Sequence, residues 1–524
     1  MASAALPARS AAPPADEAQL TVRNPALLLV GIMAASLLQV LDTTIANVAI
    51  PHMQSTLGAT SESITWVLTS YIVASAVAMP VTGWLADRVG GRRLFILSVA
   101  GFIAASMLCG MAQNLEEMVL FRALQGVAGA FIPALSQSFM LDTSRPSRHA
   151  QVMAIWGMGI MIGPILGPIL GGWLTESANW RWVFYVNLPV GILALAILMA
   201  ELPHREAETR RFDLFGFALV GLALASFQLL LDRGAHLDWF DAGEIWVYTF
   251  LAASAAWIAI VHMARARNPL FPATMFADRN FTLALSFMFV IGVVMFANMA
   301  LMPPMLQHLF GYGVIDTGIV LMPRGVGVLI SMQLSGLLIR RGIDARFVVA
   351  AGFAITAVSQ WQMAHWSLEA DSYHFILSGL IQGLGMGLVF IPLNVTAFST
   401  LPPRQRTDGA SLLNLVRSLG ASVGISVTTI LLSRSIQINH QELGSHVTAQ
   451  TFAGLDLSAV DRFQPLGEAG LAMIDAEINR QAAMIGYVND YWLMMWMALA
   501  AVPFAFLMRP AKSSAAPAAD AAGH

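Results

Sequence analysis

Along the chain, apolar residues come in runs of about twenty or more, separated by short polar connections in which arginines gather. A helix rises ~1.5 Å per residue, so a run of that length crosses ~30 Å of hydrocarbon. Fourteen such spans are predicted, near 26–50, 64–85, 94–112, 116–139, 151–174, 181–201, 214–232, 245–263, 280–306, 315–338, 347–366, 372–397, 407–433 and 488–508. Composition agrees: 57% of the 524 residues are hydrophobic and 11% charged, too few charges for a water-soluble surface. The chain reads as an all-α polytopic membrane protein, with the lipid bilayer as its solvent.

The arginines orient the set. With both termini cytoplasmic, 20 of the 28 Lys and Arg residues fall in cytoplasmic segments, five outside and three inside spans, as the positive-inside rule requires. Residues 1–25 and 509–524 are Ala/Pro-rich and read as disordered cytoplasmic tails. Between them lie a six-helix bundle over 26–201, a linker with spans seven and eight over 202–279, and a second bundle over 280–508. The segment 434–487 is an external loop long enough for structure of its own. The single cysteine, Cys109, rules out an intrachain disulfide and reads as a packing residue.

Polar residues inside the spans carry the candidate chemistry. Asp42 stands in the middle of "LLQVLDTTIANVAIP", with Gln39 on the same helix face. Arg122, Gln125, Gly126 and Gly129 share one face of span four. Charges at such depth are costly and by default functional, and the two reach a similar level in the outer half of the membrane. Asp42 is the only acid well inside a span; Asp232 and Asp316 sit near span ends. In span five, Gly159, Gly163, Gly167 and Gly171 form a ridge for close helix packing, and Pro164 and Pro168 remove backbone donors and permit bending. In "GWLADRVGGRR", Gly83, Asp87, Arg92 and Arg93 form a loop in which an acid sits among arginines. Phosphate-cradling loops, metal-ligand clusters and nucleophile triads do not appear in the sequence. An enzyme, an ATP-driven pump and a nucleic-acid partner are therefore disfavoured.

These stretches together resemble the major facilitator superfamily: "GWLADRVGGRR" its loop 2–3 signature, "LFRALQGVAGA" its span-four signature and "GIMIGPILGPILGGW" its antiporter signature. "LDTTIANVAIP" and "NWRWVFYVNLPVG" resemble the fourteen-helix drug:proton antiporters of the EmrB/QacA type. The resemblance implies two six-helix bundles around an alternating-access cavity, with an inserted helix pair. It implies proton-coupled export of lipophilic compounds across the inner membrane, without a cofactor beyond the coupling proton. It also implies a periplasmic adaptor and an outer-membrane channel docking at 434–487; a capping loop over the transporter is the competing reading of that segment.

Within this frame Asp42 is the expected proton carrier and Arg122 its regulator, against a static ion pair as the alternative. Asp87 is expected to latch the cytoplasmic gate through arginines of its own loop or the start of span thirteen. Gln39, Gln125, Met295, Asn298, Met299, Phe390 and Asn394 are the expected cavity residues. Met295 and Met299 belong to a methionine stripe in span nine with Met288, Met302 and Met305, which equally fits lipid or bundle core. The scarcity of acids within spans favours neutral, amphiphilic or weakly acidic lipophiles over cations. Arg324 and Arg417 would favour anions or, as the alternative that suits Arg324 better, serve as structural partners of helix-end carbonyls, and Arg417 joins the gating residues. An exporter of one metabolite, fatty acid or siderophore is the alternative within the same fold; a non-transporting sensor is the alternative outside it.

Overall fold

The computed structural model describes residues 16–60, 63–204, 210–234, 237, 239–446 and 467–509. Its regular elements are all helical. Fourteen long helices run in alternating directions. They are α1 (Pro25–Thr56), α2 (Ser63–Val89), α3 (Gly91–Met111), α4 (Leu115–Asp142), α5 (Pro146–Ser177), α6 (Trp182–Glu201) and α7 (Leu214–Gly234). They continue as α8 (Gly243–Arg265), α9 (Arg279–His308), α10 (Val314–Arg340), α11 (Ala345–Met363), α12 (Ser372–Ser399), α13 (Arg406–Ser445) and α14 (Gly467–Ala505). Twelve are long and apolar enough by composition to cross a membrane. The other two, α11 and α14, complete the predicted fourteen.

Short polar caps start the helices. Asn24 accepts from Leu27 N ahead of Pro25, Asp278 from Phe281 N, and Asp371 from His374 N. Before α4 the capping is reciprocal: Asn114 accepts from Glu117 N, and Gln113 N donates back to the Glu117 carboxylate. Gly90, at φ 93°, makes the sharp turn between α2 and α3.

The two bundles use the same pairings. In the first, α1 packs on α5 and α6, α2 on α4, and α3 on α4 and α6; in the second, α9 packs on α13 and α14, α10 on α12, and α11 on α12 and α14. Glycines set matching contacts. Gly163 and Gly167 of α5 meet Val40 and Thr44 of α1, as Gly420 and Gly424 of α13 meet Phe289 and Val293 of α9. Gly126 of α4 meets Tyr71 of α2, as Gly383 of α12 meets Arg324 of α10. The internal repeat is thus built by small residues that let backbones approach.

At the face that carries the chain termini, polar contacts tie the two bundles together. There Arg406 pairs with Asp142 at 2.8 Å, Ser138 and Thr407 share a hydrogen bond, Ser411 donates to Met79 O, and Asn414 donates to Gln137. Toward the opposite face α7 stands between α2 and α13. Thr69 donates to Asp232, and Ser426 donates to Leu231 O at 3.0 Å.

Two expectations change. Residues 16–24, expected as disordered tail, lie against the first bundle: Asp16 accepts from the amide and hydroxyl of Ser147, and Leu20 N donates to Asp142 O. Leu20 and Val22 pack on the core and give this part of the tail something to bury. The helices flanking the predicted external segment also continue well past the predicted spans 407–433 and 488–508. At 40 and 39 residues, α13 and α14 extend as an antiparallel pair, joined by His440 to Asp475 at 2.8 Å and by Asn489 donating to Ser435. Apolar positions at Leu471, Ile474, Ile478 and Met484 predict a helix over 468–492 running into the last span, and it is present within α14. Residues 447–466 of the same segment lie outside the described residues.

Candidate functional site: a sealed carboxylate and a linker-borne latch

The glycine ridge of α5 brings α1 in close and fixes the height of Asp42. Asp42 is fully enclosed. Its Oδ2 accepts from Arg122 Nη1 at 2.6 Å; its Oδ1 accepts from Gln125 Nε2 at 2.8 Å and from Asn187 Nδ2 at 2.9 Å. Arg122, equally enclosed, donates through Nε to Val67 O and through Nη1 also to Gln125 Oε1. Its guanidinium lies 4.5 Å from the centre of the Tyr71 ring and 5.7 Å from that of Phe184. Gln39 donates to the Tyr71 hydroxyl, and Ser106 accepts from Asn187 while donating to Phe184 O. Five helices, α1, α2, α3, α4 and α6, thus contribute to one buried network around one acid.

The guanidinium and two amides together meet both carboxylate oxygens of Asp42, so the pair is electrically compensated within the enclosure. Among the described residues, the C-terminal bundle has no copy of the site. The repeat contacts place Ile291, a buried apolar residue, where Asp42 stands in the first bundle.

The expected seam between Gln39, Asp42, Arg122 and Gln125 is present. Gln125, expected in the cavity, is instead fully enclosed and holds Asp42. Asn187 was not singled out from the sequence, although "NWRWVFYVNLPVG" contains it; an uncharged amide in an aromatic run gives no electrostatic signal.

The remaining cavity candidates divide. Met295, Met299, Phe390 and Gln39 are partly exposed. Asn298 and Asn394 are fully enclosed. Asn298 donates to Val294 O and faces Met494 Sδ at 3.2 Å, which places it between α9 and α14 rather than on an open wall. Asn394 donates to its own helix at Phe390 O. The methionine stripe likewise splits: Met288, Met302 and Met305 are core, and the last two receive the Tyr491 hydroxyl. Arg417 donates to Asn414, which reaches Gln137 across the bundle interface.

At the terminal face, Gly83 sits against the Asp408 side chain and leaves no room for a Cβ. Asp408 pairs with Arg210 at 2.9 Å, and the same guanidinium lies 3.9 Å from Asp87. Arg210 comes from the linker, not from the motif loop. Its backbone carbonyl accepts from Trp84 Nε1, and the neighbouring Phe212 packs on the Trp84 ring at 4.3 Å. Burial opposes its charge, but the hydrogen bond to Asp408, the field of that carboxylate and the Asp87 charge outweigh this and hold the guanidinium firmly protonated. Asp87, Arg210, Arg211, Arg404 and Gln405 line a cavity of about 510 Å³ between the bundles. Arg92 turns away to Met199 O and His204, and Arg93 is exposed.

We expect Asp87→Ala and Arg210→Ala each to cut transport several-fold while leaving the protein at normal levels in the membrane. Quantitative blotting beside a transport assay checks this; full transport by both variants removes the latch.

A family model described as Major Facilitator Superfamily matches residues 32–425. The chain belongs to the major facilitator superfamily. Relatives extend the match along nearly the whole length. The chain is 35% identical over 492 residues to the fatty acid resistance protein FarB of Neisseria gonorrhoeae, covering 91% of this chain and 94% of that one. It is 33% identical over 504 residues to the multidrug export protein EmrB of Escherichia coli, covering 95% and 97%. Within the major facilitator superfamily it is therefore of the EmrB type. Among solved structures, the proton:xylose symporter XylE aligns with a TM-score of 0.60 at 13% identity, over 93% of this chain and 96% of that one, a likeness of fold alone.

Proposed function

We propose that the protein is a proton-coupled antiporter that exports lipophilic or amphiphilic compounds across the inner membrane by alternating access, with its termini in the cytoplasm. The observation that carries this reading is the enclosed Asp42–Arg122 pair on α1 and α4, with α1 seated on the glycine ridge of α5. Such a pair places an ionisable carboxyl, enclosed with its counter-charge, between two helices of the first bundle, where an ionisable group is by default functional. The names of the relatives, multidrug export and fatty acid resistance, support export as the direction. The test is transport in inverted vesicles with a panel of lipophiles, reading proton and substrate flux together; substrate accumulation without proton movement overturns the coupling.

A narrower substrate range is favoured by one feature. Among the described residues, Arg324 donates to Met295 O and Arg417 to Asn414, and neither has a carboxylate within ion-pair distance. Partly buried guanidinium groups without counterions attract anions. Weakly acidic lipophiles such as fatty acids fit this better than cationic drugs do.

The α13–α14 pair projecting from the far face is the proposed seat of a periplasmic adaptor, which would connect the pump to an outer-membrane channel. Apolar Ile474 and Ile478 are half-covered on this pair, while Met473 is 67% exposed. A photo-cross-linker at position 473 is expected to capture an adaptor chain in intact cells; cross-links confined to the transporter itself would identify a self-capping element.

A further inference from the structure

The last helix holds a second carboxyl group that the Asp42 network does not use. Asp490 of α14 is 0% exposed, and neither of its oxygens has a hydrogen-bond partner among the described residues. The sequence places it at the rim of the predicted span 488–508, which hides its depth. In the structure α14 is packed on α9, α11 and α13. On the α9 side, the adjacent Tyr491 hydroxyl donates to the sulfurs of Met302 and Met305 at 3.1 and 3.5 Å. One turn deeper, Asn298 faces Met494 and keeps an unpartnered Oδ1. At the turn that follows α11, the Tyr491 ring meets Trp366 at 5.6 Å and Trp492 meets His365 at 5.5 Å. Gln360, on α11 itself, is enclosed with both ends of its amide unpartnered.

The titratable and charged groups of this region are few. Tyr487 and Tyr491 flank the acid on its own helix, and His365 stands in the turn just after α11. On α13, Arg434 is exposed and His440 is engaged farther out with Asp475. On α10, Arg324 is turned to Met295 O. No cation reaches the Asp490 carboxyl among the described residues. An ionised carboxylate in such a sheath has neither donors nor a counterion, and the group relieves this by taking up a proton. The preceding residue, Asn489, is exposed and donates to Ser435 at 3.0 Å, so the surface of the bundle begins one position along the helix, ~100° around it. A displacement of α14 away from α9 and α11 opens the sheath around the acid toward that surface.

We propose that Asp490 is a second proton-binding site, loaded in this conformation and exchanging with the far-face solvent when α14 moves. Its part in transport rests on the proton-coupled reading above; its occupancy by a proton does not. The proton comes from bulk water and returns to it, and no bond in the protein is otherwise made or broken.

Two readouts on the full chain reconstituted in lipid test this. Infrared difference spectra are expected to show a protonated-carboxyl C=O band at neutral pH that persists in Asp42→Asn and is lost in Asp490→Asn. Absence of the band from the wild type, or its survival in Asp490→Asn, overturns the proposal. In proteoliposomes, Asp490→Asn is expected to export substrate with roughly half the protons moved per molecule; an unchanged ratio overturns it as well. Asparagine is isosteric and neutral, so an unchanged or higher melting temperature verifies that the variant folds. If the wild type moves no protons at all, the antiporter reading fails, and the spectra still decide the occupancy of Asp490.

Discussion

Asp42→Asn is expected to reduce export against a gradient to the level of passive leak while substrate binding survives. Asparagine keeps the size of the side chain and can still accept from Arg122, but it cannot take up and release a proton. It also replaces one oxygen by a donor where Gln125 and Asn187 already present donors. The substitution leaves the Arg122 charge enclosed without its partner, and breaking one side of a buried pair costs about 3–5 kcal/mol. A lower melting temperature is therefore part of the expected result. The double variant Asp42→Asn, Arg122→Gln removes both charges and is expected to recover much of the stability without recovering proton-driven export. Vesicle transport over a range of pH, beside a binding titration, reads both effects. Normal gradient-driven export with wild-type pH dependence in Asp42→Asn would make the pair a static strut and send the proton elsewhere.

The second large effect is expected from a single methyl group. A Cβ at Gly167 would overlap Thr44, whose hydroxyl is already committed to Val40 O at 3.1 Å and Leu41 O at 2.9 Å. Thr44 lies two residues beyond Asp42, so displacing α1 here displaces the acid. Overpacking of a tight helix contact costs about 1–3 kcal/mol, and a shift of α1 by a fraction of an ångström disturbs hydrogen bonds near 2.6–2.9 Å. Gly167→Ala is expected to abolish most transport. Gly172→Ala, five residues along the same helix, meets nothing within 4 Å and is expected to be neutral. Parallel transport assays and thermal melts of the two variants decide the matter; equal behaviour would mean that the ridge does not set the position of α1.

The spans were legible because twenty apolar residues in a row have few alternatives to a membrane helix. Asp42 and Arg122 were legible because an ion inside such a run stands out against its neighbours. The same contrast fails elsewhere for specific reasons. Asn187 carries no charge and hides among aromatics. Arg210 sits in a charged linker that reads as solvated, and only the fold brings it between Asp87 and Asp408. Asp490 is at a span boundary, where an acid looks like a surface residue. The extension of α13 and α14 past the predicted spans was half legible, since the apolar positions Ile474 and Ile478 marked a helix but the length of α13 was not visible in hydropathy.

That length has a mechanical consequence. Helix α13 carries the latch acid Asp408 at one end, the interface residue Asn414 in its first third, and His440 of the projecting pair near the other end. Unlike α1, α5, α9, α10, α12 and α14, it contains no proline. An unbroken 40-residue helix is a stiff rod of ~60 Å. A torque applied to its outer tip would meet no proline joint in which to dissipate, and would reach the opposite end as a twist of the carboxylate that grips Arg210. A partner that seized the tip would then hold a handle on the bolt at the far end of the helix.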